Sequence, residues 1–232
     1  MHPPAHQSTR ADVQHFTQQF QAYVQSADFP CVGARSAINR GAARFQLYGG
    51  LGQGGEVARL CADLEKFSAE FAQPGEEPTT FVAMFDDVID NEAQFEHLMW
   101  QHLQDVHEHD RRRFAWDKTV SNDPASEDFS FSVAGRAFFV VGLSPVASRI
   151  ARRAPMPCMV FNFHDQFENF RASGKYAGLQ KVIRKRDVAL QGDINPVLAN
   201  HGDASEARQY SGRPTGPAWR CPFAPRGARA GR

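Results

Sequence analysis

The sequence predicts a single α+β domain, with a central mixed or antiparallel sheet of about five strands flanked by helices and a long ordered C-terminal loop region. Three observations carry this. The 232 residues are enough for one good hydrophobic core. Short apolar runs of strand length are interspersed with segments of helical period. No segment repeats internally.

Taken in order, residues 1 to 10 and 224 to 232 are expected to be disordered tails around one domain at 11 to 223. The first holds two Pro, two His and small polar residues, and the last, APRGARAGR, has nothing to bury. Val13, Phe16, Phe20 and Val24 lie three or four residues apart, which predicts an amphipathic helix from Ala11 to Val24 ending near Ser26. DFPCVGARSAINRG breaks that pattern. RFQLYGGLGQGG joins a short alternating strand to a flexible loop with five glycines in seven residues, and a helical run from Glu56 to Phe71 follows. QPGEEP at 73 to 78 turns the chain into TTFVAMF, a buried strand.

Asn91 can cap a helix reaching about Arg113, in which Phe95, Leu98, Met99, Leu103, Val106 and His107 fall near one face. After a polar loop, FSFSVAGRAFFVVGL reads as a hairpin around Ala134-Gly135. Pro145 to Arg153 reads as a short helix, CMVFNF as a buried strand ending at His164, and Phe167, Phe170, Tyr176, Leu179, Val182 and Ile183 as one helix to about Leu190. The remainder, to Phe223, has no sustained period but is rich in specific polar and aromatic residues, as a site-lining loop would be.

Composition narrows the function. Lys plus Arg is 26 and Asp plus Glu is 26, so no net field draws the chain to nucleic acid or anionic lipid. No apolar run approaches the roughly 18 residues of a membrane span, and MHPPAHQSTR lacks the apolar region of a signal peptide, so a cytoplasmic protein is expected. Cys31, Cys61, Cys158 and Cys221 are too sparse for a disulfide scaffold and are read as free thiols. Phe occurs 19 times against 4 Tyr and 3 Trp, which supplies flat apolar walls for a ligand or simply an aromatic core. There is no P-loop, no nucleophile elbow and no HExxH, and the GxG within GGLGQGG lacks the acidic partner of a dinucleotide site.

Histidine is more suggestive. His164 stands between a buried strand and a helix in FNFHDQFENF, a setting that suits an axial iron ligand and equally a hydrogen-bonded core histidine. His97, His102, His107 and His109 crowd one helix without forming a metal-binding face, and only His107 is expected to point inward. Phe29-Pro30-Cys31 and Cys221-Pro222-Phe223 place two cysteines beside proline and phenylalanine, where each is either a thiolate donor for haem or a small buried hydrophobe.

FPCVGA at 29 to 34, FEHLMWQHLQDVHEHD at 95 to 110, DFSFSVAGRAFFVVGL at 128 to 143, FNFHDQF at 161 to 167, NPVLANHGDASEARQYSGR at 195 to 213 and the closing WRCPF together carry a resemblance. Over about residues 28 to 223 the sequence resembles the YqcI/YcgG family of FPC/CPF motif-containing proteins, with Ser144 in GLSP where the family often carries His. The resemblance implies a haem-dependent N-oxygenase of natural-product biosynthesis. Such an enzyme hydroxylates a guanidino or amino nitrogen of L-arginine or a related guanidine, using haem b, O2 and electrons from a reductase or ferredoxin.

A histidine is implied as proximal ligand: His164 first, His107 as runner-up, then Cys221. Arg208, Tyr210 and Arg213 in SEARQYSGR, with Arg35 and Arg40, are candidate partners for haem propionates or a substrate carboxylate. Glu206 or the Asp86-Asp87 pair are candidate counterions for a guanidinium. The expected pocket lies between the His164 segment, the 91 to 113 helix and the C-terminal loop. A haem-binding sensor or carrier without turnover is the alternative, and a metal-free binding protein with structural histidines is a third. A homodimer is compatible with each.

Overall fold

A computed structural model of the chain describes residues 9–54, 56–73, 77–193 and 205–226. The expected tails fall mostly outside these residues, as does Asn195 to Ala204 of the NPVLANHGDASEARQYSGR segment. The first helix, α1 (Arg10–Gln25), starts at a capping box in which Thr9 and Asp12 each accept from the other's backbone N–H. It buries Phe20 and Val24, two of the four apolar residues whose spacing predicts it. β1 (Ala43–Tyr48), α3 (Val57–Glu70), β2 (Thr80–Phe85) and α4 (Glu92–Asp110) follow near their expected positions, and Asn91 Oδ1 caps α4 by accepting from Gln94 N–H. β3 (Phe131–Val133) and β4 (Arg136–Leu143) form the hairpin. Its turn residues, Ala134 at φ 55° and Gly135 at φ 71°, both lie in the left-handed region that a two-residue turn between twisted strands requires. An Asp110 carboxylate oxygen accepting from Ala134 N–H at 2.9 Å supports the non-glycine member.

The five strands form one mixed sheet in the order β1-β2-β5-β4-β3, where β5 is Cys158–Phe163. β1 runs parallel to β2 and the other neighbours are antiparallel. Side chains alternate across it. Phe81, Phe85, Phe138, Val140, Phe161 and Phe163 face α3, α4 and the C-terminal segment, whereas Leu47, Val82, Met84, Leu143 and Cys158 face Phe20 and Val24 of α1. The expectation of a five-stranded α+β domain with helices on the sheet is met.

Three local expectations are corrected. The segment that breaks the first helix contains a helix of its own, α2 (Val32–Asn39), capped by the Cys31 sulfur accepting from Ala34 N–H at 3.5 Å. It buries only Ala37 fully and is two turns long, too short for its apolar spacing to stand out as a run in the sequence. Pro145 to Arg153 forms only a single 3-10 turn at Ile150–Arg152, because Arg149 is extended and its side chain is held elsewhere. The helix expected to run to Leu190 is two, α5 (His164–Ala172) and α6 (Lys175–Gln191), divided at Gly174, whose φ of 72° no helix accommodates. The last helix, α7 (Ala207–Tyr210), is one turn at the open edge of β4. Among the described residues, no helix is long and apolar enough to cross a membrane.

Candidate functional site

A cavity of about 290 Å³ lies on the α1 face of the sheet, at the lower end of the range for small-molecule sites. Phe139, Val141 and Leu143 of β4 share one face by alternation and form its floor with Val82, Val160 and Asn162. The FPC segment, Phe29-Pro30-Cys31, and the first turns of α2 build one wall. Gln166, Phe167 and Phe170 of α5 with Leu179, Ile183 and Asp187 of α6 build the other.

Its polar groups are few and already bonded. Arg152 is half-buried, and desolvation lowers its guanidinium to about 10. It donates to the carbonyls of Gly142 at 3.0 Å, Tyr210 at 3.3 Å and Gln209 at 3.1 Å, and so ties the cavity to β4 and α7. Arg149 pairs with the buried Asp187 carboxylate at 2.6 Å and with Asp193. Gln166 Oε1 accepts from Thr79 N–H at 3.1 Å, and its amide donates to the Thr79 hydroxyl. The Cys31 thiol is pushed up by burial, opposed by hydrogen bonds from the backbone at Ala34 and Gly33 and by the Arg152 charge.

The residues singled out from the sequence fall in several places. His164 is the first residue of α5, with Nε2 3.3 Å from Glu168 Oε1 and its imidazole held below the usual range by burial; it does not line the cavity. His107 is buried on the opposite side of the sheet between Trp116 and Phe223, and its Nε2 accepts from Arg226 N–H at 3.0 Å. His102, expected to be solvated, is fully buried against Phe85, accepts from Gly52 N–H at 3.2 Å and is held down to about 4. The glycine-rich loop passes so close to α4 at Gly52 that His102 cannot reach solvent.

Glu206 and Tyr210 are brought together. The Glu206 carboxyl oxygen lies 2.5 Å from the Tyr210 hydroxyl, which also receives Phe131 N–H at 3.1 Å and faces the Phe138 carbonyl at 3.2 Å. One hydroxyl hydrogen cannot serve both Glu206 and Phe138. A protonated Glu206 resolves the conflict, in keeping with burial raising this carboxyl to about 8. Arg208 donates to the carbonyls of Gly216, Pro217 and Trp219 and lies over the Trp219 ring. Arg213 pairs with Glu96, which also accepts from Ser211 and Trp219. These contacts fasten the C-terminal segment over α4. Arg40 pairs with Glu77 at 3.0 Å, Asp87 accepts from Leu51 N–H at 3.0 Å, and Arg35 lies on α2 outside the cavity lining. Cys31 and Cys221 are separated by the sheet, since Cys31 lines the cavity and Cys221 packs with Phe223 against the α4 face. The sequence reading missed Arg149, Arg152, Asn162, Gln166 and Asp187, because nothing local distinguishes Arg152 from the more exposed Arg153 beside it.

A haem needs a donor atom, flat apolar walls and cations for its propionates. The cavity offers one of each kind: the Cys31 sulfur, the Phe29, Phe139, Phe167 and Phe170 rings, and the Arg149 and Arg152 guanidiniums. Among the described residues no imidazole lines it. The residues therefore suit a haem held by sulfur better than one held by histidine, and the cavity, at about 290 Å³, is small for a macrocycle.

Comparison with curated proteins and with solved structures gave no match. The family model that does match covers residues 20–224, from within α1 to the end of the CPF segment, and so takes in both the cavity and the fastened C-terminal segment. The chain belongs to the YqcI/YcgG family.

Proposed function

We propose that this protein is a haem-dependent N-oxygenase that hydroxylates a guanidino or amino nitrogen, with L-arginine or a related guanidine as substrate class. The observation that carries the reading is the aromatic-walled cavity, because three of the segments that define the resemblance (FPCVGA, AFFVVGL and FNFHDQF) supply its walls and floor. Haem b bound there supplies O2 activation, and one O2, two electrons and two protons yield one N-hydroxyl group and one water.

The chain's own residues divide the remaining tasks. Cys31, whose sulfur lines the cavity, would hold the iron of a bound haem, and His164 on the neighbouring α5 is the alternative donor. Phe139 and Phe167, in edge contact with each other, provide an apolar surface that excludes water. Asp187 is the carboxylate facing the cavity and accepts a guanidinium in exchange for Arg149, while Arg152 holds a carboxylate or propionate. Glu206 and Arg208 act indirectly, by fixing the α7 segment whose carbonyls hold Arg152.

The test is the absorption spectrum of protein expressed with a haem precursor, oxidised, reduced and with CO. A Soret band with a thiolate-type CO shift, lost in Cys31→Ser and kept in His164→Ala, supports the cavity site with Cys31. An imidazole-type shift lost only in His164→Ala moves the donor to His164, and no band in any form overturns the haem reading. Both cavity cations are already engaged, Arg149 by Asp187 and Arg152 by main-chain carbonyls, which leaves no free cation for a substrate and favours a second reading, a haem-binding sensor or carrier. Reduced protein given O2 and arginine separates the two, since only the enzyme forms N-hydroxyarginine.

A further inference from the structure

We propose that the cavity on the α1 face is a binding site for a small neutral molecule with an apolar body and a primary carboxamide head. This goes beyond the N-oxygenase reading and does not rest on it, since it uses the space present and no cofactor. An apolar cavity of about 150 Å³ holds a benzene ring. One of about 290 Å³ has room for a ring, a short chain and a small polar head.

Every charge in the lining is already engaged. Among the described residues that line the cavity, three are charged: Arg149, Arg152 and Asp187. Arg149 and Asp187 pair at 2.6 Å, and Arg152 donates to three main-chain carbonyls. A charged ligand would have to break one of these sets of bonds or give up its water without a partner, and either is costly. The Gln166 and Thr79 side chains are likewise bonded to each other, and the Cys31 sulfur accepts from Ala34 N–H at 3.5 Å.

Two polar side chains keep unused capacity, and the sheet sets them side by side. Thr80 of β2 and Asn162 of β5 are register partners, and both line the cavity. The Thr80 hydroxyl donates to the Phe161 carbonyl at 3.4 Å, and its oxygen accepts from no described group. Asn162 Nδ2 reaches the Phe139 and Val160 carbonyls only at 3.4 Å each, beyond the usual range, and Asn162 Oδ1 receives no hydrogen bond from the described residues. An amide that faces an apolar floor without its full set of partners is a cost to the fold that a ligand removes. Two adjacent acceptors suit the two N–H groups of one amide nitrogen, and the loosely held Asn162 Nδ2 suits the oxygen beside that nitrogen. A primary carboxamide carries both without charge. An ammonium would bring a charge that no free carboxylate meets, and a carboxylate has no donor to offer.

The apolar body follows from the rest of the floor. Beyond the level of Thr80, Asn162 and Phe139, the same register presents Val82, Val160 and Val141, and after them Leu143. From Phe139 to Leu143 the floor runs for about 13 Å at roughly 3.3 Å per residue, enough for a head at Asn162 and a ring over the valines.

The probe is 3-phenylpropanamide, with 3-phenylpropanoate and protonated 3-phenylpropylamine as charged analogues of similar shape. Each is titrated by calorimetry into protein expressed without a haem precursor. The amide should bind about tenfold or more tightly than either analogue, with an affinity indifferent to salt. Asn162→Leu, which keeps the volume and removes the amide, should weaken binding of 3-phenylpropanamide about tenfold. Thr80→Val, of the same shape without the hydroxyl, is the second variant and should weaken it about threefold or more. Ala34→Leu, which fills the cavity, should abolish it, and thermal melts check that each variant is folded. No binding of the amide, tighter binding of either charged analogue, or unchanged affinity in the folded Asn162→Leu and Thr80→Val variants would each overturn the proposal. The Soret band of protein expressed with a haem precursor bears on the N-oxygenase reading alone, so the two readings fail separately.

Discussion

At the residue scale, Glu206 shows how burial converts an ordinary acid into a structural donor. Its carboxyl, pushed from 4.5 up to about 8, keeps its proton in the fold at pH values where the unfolded chain has lost it. The folded state therefore binds more protons between these values, and the stabilisation present below pH 4.5 is lost as pH rises toward 8. Between about pH 7 and 8 this linkage stands clear of Asp110, raised to about 6, and of His102, lowered to about 4. Glu206→Gln, which keeps a neutral donor, should flatten the fall in melting temperature across that interval, and thermal melts at several pH values check it. Arg152 makes the complementary case. Removing its guanidinium in Arg152→Ala orphans three carbonyl acceptors and should destabilise the protein by about 3 kcal/mol, measured by denaturant titration.

At the element scale, what matters is how closely backbones approach. Gly142 lets β4 pass beneath α4 and α7, and a Cβ there would lie 2.7 Å from the Tyr210 carbonyl and 2.9 Å from Met99 and Phe95. Gly142→Ala should cost about 2 kcal/mol or more by forcing α7 off the sheet edge, and should reduce ligand binding through the lost Arg152 anchor. Gly174→Ala is different in kind: nothing lies within 4 Å, so only its left-handed backbone resists, and a loss of about 1 kcal/mol with the cavity unchanged is expected in the same titration.

At the scale of the whole molecule, the sheet is a partition. One side is a continuous aromatic core closed by the C-terminal segment, and the other carries the cavity under α1, α2, α5 and α6. Filling that cavity separates function from packing. Ala34→Leu should raise the melting temperature by the burial of new apolar surface, of order 1 kcal/mol, and abolish haem uptake. Raised stability with haem uptake intact would place the ligand elsewhere in the fold.

The long periodic elements were legible in the chain, because α1 and α4 bury the residues that their spacing marks and β2 and β5 are short runs of apolar residues. The fold class followed from them. Tertiary structure decided the rest. A helix as short as α2 forms because a sulfur caps it and α1 and α6 pack against it, and α5 and α6 separate because one glycine adopts a left-handed backbone. The sequence could mark FPC and CPF as paired motifs but could not show that the sheet stands between them. Nor could it show that the arginines of SEARQYSGR bind their own chain while Arg149 and Arg152, unremarkable in the sequence, line the cavity. Local pattern reports which residues prefer burial or a given backbone; which polar groups meet depends on contacts between residues far apart in the chain, and these arise only when the elements pack.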